Sequence, residues 1–300
     1  MSTPATSNSA LLRLAGFAFE LRTDSEETQL LFPEAYNAFL VHRATGNPDA
    51  VFEVSSPPPD LPGKLETVWA TDVWRLSRTE TGGALLELNE RTGDPWRPLA
   101  HVGHDFSAGS LFTRTTDPQP RFVFNYPCDQ VLLINRMALL GAGVVHGCGI
   151  AFEGRAYLFC GRSGAGKTTI ARLWRDAGAT ILNDDRMIVR NEEGSAWSGS
   201  TPWHGEEKDV HAACLPLGGV FHLRQASTNA LRRLPYTEAV ARLMATTVAP
   251  YYSREGISRI LDVWAPALEH VPSWILDFTP DAGAVQACRS ALVSDAAACS

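Results

Sequence analysis

The chain has 300 residues, 45% of them hydrophobic and 20% charged, enough apolar material for one large globular domain or two modest ones. A formal net charge of -7 argues against non-specific nucleic-acid binding, and no apolar run approaches the ~20 residues that span a bilayer. The six cysteines form no CxxC pair and have no neighbouring histidine at metal-ligand spacing; with no signal-peptide pattern in MSTPATSNSALLRLAGF, they read as small, mostly buried hydrophobes of a cytoplasmic protein without a zinc or disulfide framework.

Residues 1–10 read as a polar, disordered tail. From residue 11 to about 115, FAFELRTD, VFEVSS, VWRLSRTE and GALLELNE alternate apolar and polar side chains, with SSPPPDLPG and TGDPW between them and a turn at PEAYNAFLVHR. This predicts a β-rich amino-terminal domain. TRTTDPQP is the joint to a second domain over residues 116–300. There PCDQVLLINRMALLGAG predicts a helix, and VVHGCGIAFEGRAYLFCG a hairpin turning at Glu153-Gly154. A helix from Thr168 to about Ala177 follows, then strands at Ala179–Leu182 and RMIVRN, a Trp/Gly/Pro-rich loop GSAWSGSTPWHGEEK, a strand GGVFHLRQ, and helices near 236–248 and 281–293. The fold class is mixed α/β.

Residues 161–168, GRSGAGKT, match G-x-x-x-x-G-K-[ST] between a strand-like YLFC and a helix-like TTIARLWRDAG. Glycines at Gly161, Gly164 and Gly166 let the backbone around Arg162, Ser163 and Ala165 curl, so that N–H groups and the helix amino terminus face phosphate. Lys167 reaches the outer phosphates, Thr168 offers a hydroxyl to Mg²⁺, and Thr169 extends the first helical turn. The pattern predicts a nucleoside triphosphate, ATP with Mg²⁺, as the bound cofactor.

Such a site also needs a carboxylate at a nearby strand end to hold the metal. Asp184 and Asp185 lie 17 and 18 residues past Lys167, at the end of the first strand after the cradle. One suffices for the metal; the second suggests a proton acceptor. The competing reading is a turn cap plus a solvated carboxylate. His146, in VVHGCGI, either approaches the phosphates and aspartates or is a satisfied core histidine.

Taken together, VVHGCGI, FEGRAYLFCG, GRSGAGKT, TIARLWRDAG and LNDD resemble the carboxy-terminal catalytic domain of HPr kinase/phosphorylase over about residues 143–190, and a looser similarity to a broader group of HPr-kinase-like proteins extends from about Gly16 to Asp281. The resemblance implies a P-loop core like that of phosphoenolpyruvate carboxykinases, preceded by the smaller β-rich domain, and ATP-dependent phosphorylation of a serine on a protein or peptide. It implies that Gly161 to Thr168 hold the triphosphate, that Asp184 is the general base with His146 near it, and that Thr168 and Asp185 serve the metal. Relatives of this kind often assemble as homo-oligomers. The chain departs from the family where GSTPWHGEEK replaces a Gly-rich segment, and where Thr169 replaces a common glutamate. These departures argue against HPr itself as acceptor and leave a peptide precursor or a small hydroxylated molecule.

In TPWHGEEK, Trp203 and His204 either close over a ligand, with Lys208 meeting phosphate, or Trp203 packs down as an anchor. Arg162, Arg186, Arg224, Arg254 and Arg259 are candidates to neutralise the transferred phosphoryl group, and the sequence does not choose among them. His101, His104 and Asp105 in HVGHD lack a further ligand at usable spacing and read as a polar loop. The amino-terminal domain is left with acceptor recognition. Against the kinase stand two alternatives: a nucleotide-gated binding module, and an ATPase that activates water.

Overall fold

A computed structural model describes residues 9–23, 30–42, 46–55, 63–89, 96–113, 124–207 and 210–298. The described chain is mixed α/β and divides into two compact units, Met1–Leu139 with Pro250–Arg254, and Leu140–Ala249 with Glu255–Ser300. None of its described helices is long and apolar enough to cross a membrane.

The first unit contains β1 (Ser9–Leu14), β2 (Phe17–Thr23), β3 (Leu40–Val41), β4 (Ala50–Ser55), β5 (Leu65–Ala70), β6 (Trp74–Thr79), β7 (Ala84–Leu88), β8 (Arg97–Val102) and β9 (Ala108–Phe112). They form one sheet in the order β3-β1-β2-β4-β9-β8-β7-β6-β5, parallel only at β2–β4 and β4–β9. Alternation explains much of it: Phe52 and Val54 of β4 are buried, and Glu53 between them is exposed. PEAYNAF forms a short 3-10 helix, Glu34–Phe39, and the predicted helix is α1 (Cys128–Leu139). This helix belongs to the first unit, where Arg136 donates to the carbonyls of Asp49 at 2.8 Å and Asp105 at 3.2 Å. Tyr36 donates to the Asp129 carboxylate at the start of the same helix.

The second unit contains β10 (Gly143–Phe152), β11 (Arg155–Cys160), α2 (Lys167–Asp176), β12 (Thr180–Asn183), β13 (Arg186–Glu192), β14 (Ser195–Ser200), β15 (Cys214–Gln225), β16 (Ala230–Arg233), α3 (Tyr236–Met244), β17 (Thr247–Val248), α4 (Arg254–Glu269, its first residue in the other unit), β18 (Ser273–Phe278) and α5 (Ala282–Ala298). Two long strands organise it. The first half of β10 pairs with β13 and β17, and its second half with β11 and β12. The start of β15 pairs with β14, and its remainder runs parallel to β11 and β18. The β10–β11 hairpin turns at Glu153 and Gly154, both with positive φ, as a tight two-residue turn requires.

The core lies where α2 and α5 cover β10, β11, β15 and β18. Phe159, Phe221 and Trp274 occupy matching positions on adjacent parallel strands and stack with centroids 4.9 and 4.8 Å apart. From α2, Ile170, Ala171 and Trp174 enter this cluster, and Trp174 meets Phe152, Tyr157 and Phe159. That packing fixes α2, and with it the loop at its amino terminus.

Several expectations are corrected. Ser9 and Ala10, read as tail, belong to β1. GSAWSGS, read as loop, supplies β14, whose small Ala196, Ser198, Gly199 and Ser200 are buried between β13 and β15. Neighbouring strands rather than β propensity make it a strand. The sequence reading missed β18 and α4; Pro266 inside α4 reads as a helix breaker. Residues 1–8 of the tail, all but Thr113 of TRTTDPQP, and most of SSPPPDLPG and TGDPW lie outside the described residues.

Trp174 is fully buried at the centre of the aromatic cluster. Trp174→Ala is expected to cost about 3–5 kcal/mol of unfolding free energy, read as a lower urea midpoint at unchanged slope.

Candidate phosphate site

The cradle begins where β11 ends at Cys160 and closes where α2 begins at Lys167. Gly164 and Gly166 have φ of +77° and +100°, which residues with a Cβ adopt only at a cost. At Gly166 space adds to conformation, because a Cβ there would lie 2.5 Å from Phe278 Cζ. The loop is braced by the Ala165 N–H on the Arg162 carbonyl at 3.0 Å, and by Gln225 Nε2 donating to the Gly164 carbonyl at 2.8 Å. Arg162, Ser163 and Gly164 are exposed, and Thr168 and Thr169 stand half-buried on the first turn of α2.

Lys167 is only 8% exposed, and its ammonium donates to the carbonyls of Gly161 and Arg162 at 3.1 and 3.2 Å. Burial lowers its pKa from the ordinary lysine value, against the opposing pull of Asp185 and Asp184. These residues fit Mg·ATP. The cradle depends on a glycine where a Cβ would clash, a lysine is held at its base, and the nearby ligands are the hydroxyl and carboxylate oxygens that a hard cation prefers.

The two aspartates diverge. Asp184, 3% exposed, accepts hydrogen bonds from the amides of Gly205 at 2.7 Å and Glu207 at 3.0 Å. Asp185 lies 3.1 Å from His146 Nδ1 through Oδ1 and 2.5 Å from Arg186 through Oδ2. Burial pushes the Asp185 carboxyl up, but the hydrogen bond from His146 and the charges of Arg186, His146 and Lys167 outweigh it and hold it below the usual carboxylate range. His146 reaches this place by register: it pairs with Arg186 across β10–β13, and its N–H donates to the Thr246 carbonyl at 2.7 Å. The structure therefore brings His146 to Asp185, not to Asp184.

Asn183 is the residue that sequence reasoning missed. Fully buried, it accepts from the amides of Asp185 at 2.7 Å and Arg186 at 2.9 Å, and donates to the carbonyls of Thr201 at 2.8 Å and Trp203 at 3.2 Å. The signal was present, since Asn before Asp-Asp is an Asx-turn pattern. Glu207 was missed too. Its carboxylate accepts from Arg172 at 2.7 Å and Arg175 at 2.9 Å, tying the loop to α2.

Of the two readings of TPWHGEEK, Trp203 is buried at 5% exposure and His204 is exposed. Lys208 lies outside the described residues. Among the candidate cations, Arg186 bonds Asp185, Arg224 bonds Asp277, and Arg259 bonds Glu255. In the first unit, His101 lies within β8, and Asp105 accepts from the amide and hydroxyl of Ser107 and pairs with Arg136.

Both Asp184 oxygens face N–H donors, and Asn offers only one oxygen. Asp184→Asn is expected to lose about 1–3 kcal/mol and to speed hydrogen exchange at Gly205 and Glu207. Unchanged exchange at both amides would show that this carboxylate does not hold the loop.

No known family's model matches the chain, and no curated protein matches it. Among solved structures, the HPr(Ser) kinase/phosphatase from Coxiella burnetii is similar at 10% sequence identity and a TM-score of 0.33, over 50% of this chain and 97% of that one. The relationship is distant.

Proposed function

We propose that the protein is an ATP-dependent phosphotransferase with an HPr-kinase-like P-loop core, which phosphorylates a hydroxyl on a protein, a peptide or a small molecule. The observation that carries this reading is the Asp185–His146 pair at 3.1 Å, set beside Lys167 and the cradle. Holding a metal needs one carboxylate. A second carboxylate fixed by loop amides, and a first one 3.1 Å from an imidazole that also meets the same residue's carbonyl at 3.1 Å, form a larger arrangement than nucleotide binding alone requires.

When bound, Mg·ATP supplies the phosphoryl group. Gly161 to Thr169 would hold its phosphates, Lys167 would offset their charge, and the Thr168 hydroxyl would offer the metal an oxygen ligand. We assign to Asp185 the proton-accepting role that the resemblance gave Asp184, because Asp185 has an imidazole on one of its oxygens. The acceptor hydroxyl's proton passes to the Asp185–His146 pair, and Arg186 offsets the charge of Asp185. Asp184 shapes the loop at Gly205–Glu207.

Lys167→Ala is expected to abolish ATP binding. Asp185→Asn is expected to keep ATP binding and to lower transfer about 10²–10⁴-fold, measured with γ-labelled ATP and a panel of seryl peptides, hydroxy acids and sugars. Transfer by Asp185→Asn at the parent rate would overturn the assignment of the proton acceptor. Release of free phosphate alone by the wild-type protein would favour an ATPase.

A further inference from the structure

A cavity of about 550 Å³ opens on the first half of the cradle. Gly161 and Arg162 are among its walls, and their carbonyls are the ones that the Lys167 ammonium meets at 3.1 and 3.2 Å. The cavity therefore belongs to the triphosphate site, at the end of the cradle where the lysine reaches the outer phosphates.

The rest of it is built on one face of the sheet. Cys160 on β11 is in register with His222 on β15, and His222 with Ile275 on β18. Phe159 and Phe221, one residue earlier on their strands, belong to the core under α2 and α5, so Cys160 and His222 face away from that core. Cys160 also pairs with Gly147 across β10–β11, which turns the adjacent His146 to the opposite face. The helix α3 packs on the His222 face, where its Ala239 shares a cluster with Ile275, and Arg242 near its end lines the cavity.

Phosphoryl transfer needs a cation for the charge on the outer phosphates. Of the sequence candidates, Arg186, Arg224 and Arg259 are each bonded to a carboxylate. Arg242 is engaged only through Nε, on Glu238 at 2.9 Å, which leaves its two terminal nitrogens without a partner among the described residues. Glu238 does not line the cavity, and no carboxylate is among its described lining residues. Arg162 lines it as well, and two cationic side chains unbalanced by a carboxylate suit phosphate. Beside them His222 is 6% exposed, and its Nε2 has no hydrogen-bond partner among the described residues. Burial, and then the charge of Arg242, lowers the His222 pKa to about 4, so the imidazole is a neutral hydrogen-bonding group near pH 7. A buried polar group left unpaired in a cavity wall points to a partner that the cavity receives.

We infer that Arg242 is a phosphate ligand of the bound nucleotide, brought by α3 to the outer phosphates from the sheet face opposite His146. Its two free nitrogens match a pair of phosphate oxygens, as a lysine's point charge does not. The inference rests on the phosphotransfer reading above, which makes that nucleotide ATP.

The test is calorimetric titration with a non-hydrolysable ATP analogue, ADP and AMP, each with Mg²⁺, into the wild-type protein and the variants Arg242→Gln, Arg242→Lys and Arg232→Gln. Arg232 pairs with the same Glu238 at 3.2 Å but is not among the lining residues, so it controls for the loss of a nearby charge. Arg242→Gln is expected to weaken the ATP analogue about tenfold and AMP by about twofold at most. Arg242→Lys is expected to recover part of that loss, and Arg232→Gln to bind as the wild type does. The Arg242 side chain is 44% exposed, so its replacement leaves the core intact. No binding of the ATP analogue by the wild type, unchanged binding in Arg242→Gln, an equal loss for the analogue and AMP, or the same loss in Arg232→Gln would overturn the inference. Label transfer by the wild type together with unchanged analogue binding in Arg242→Gln would remove this inference and leave the kinase reading. A selective loss in Arg242→Gln without label transfer by the wild type would keep the phosphate contact and remove the kinase reading.

Discussion

The carboxamide of Asn183 uses its oxygen and both N–H groups inside the protein, and the arrangement of the site depends on it. Its oxygen receives the amides that follow, those of Asp185 and Arg186, and so makes the turn from β12 into β13. Its nitrogen grips the carbonyls of Thr201 and Trp203, and so holds the distant loop against that turn. With no exposure to water, each of these bonds forms where an unmade one would cost about 1–3 kcal/mol. The turn sends two adjacent carboxylates in different directions.

Asp184 and Asp185 therefore serve different neighbours although they are chemically identical. Asp184 meets backbone amides of the loop, and the same loop is held from the other side by Glu207 on Arg172 and Arg175 of α2. Gly205 has no room for a side chain, since a Cβ there would come within 2.9 Å of an Asp184 oxygen. Asp185 meets an imidazole and a guanidinium. The cradle helix, the loop and the β12–β13 turn form one bonded assembly, so the spacing between lysine and carboxylates is a property of packing as much as of sequence distance.

The two long strands extend this assembly. Because β10 is shared between two sets of partners, His146 sits at the point where pairing passes from β13 and β17 to β11 and β12. The short β17 pairs with the same strand and α3 before it packs on β18 through Ala239 and Ile275, and together they bring Arg242 and Thr246 to the loop. In this way residues remote in sequence come to line the cavity that opens on the cradle.

Much of this was legible beforehand. The phosphate cradle is a local device, in which strand, glycines, lysine and helix are consecutive, and its sequence determined its form. Period-2 alternation determined β2, β4, β6 and β7, and apolar spacing with a following glycine determined α1. The strand β14 was not legible because its serines, glycine and alanine become strand only between two neighbours. Tertiary structure alone decided which aspartate His146 would meet. That choice depends on the β10–β13 register and on the buried Asn183 turn, which places one carboxylate on the loop amides and the other on the imidazole. Adjacent residues of one type have no sequence signal to separate them; the direction of a hydrogen-bonded turn does.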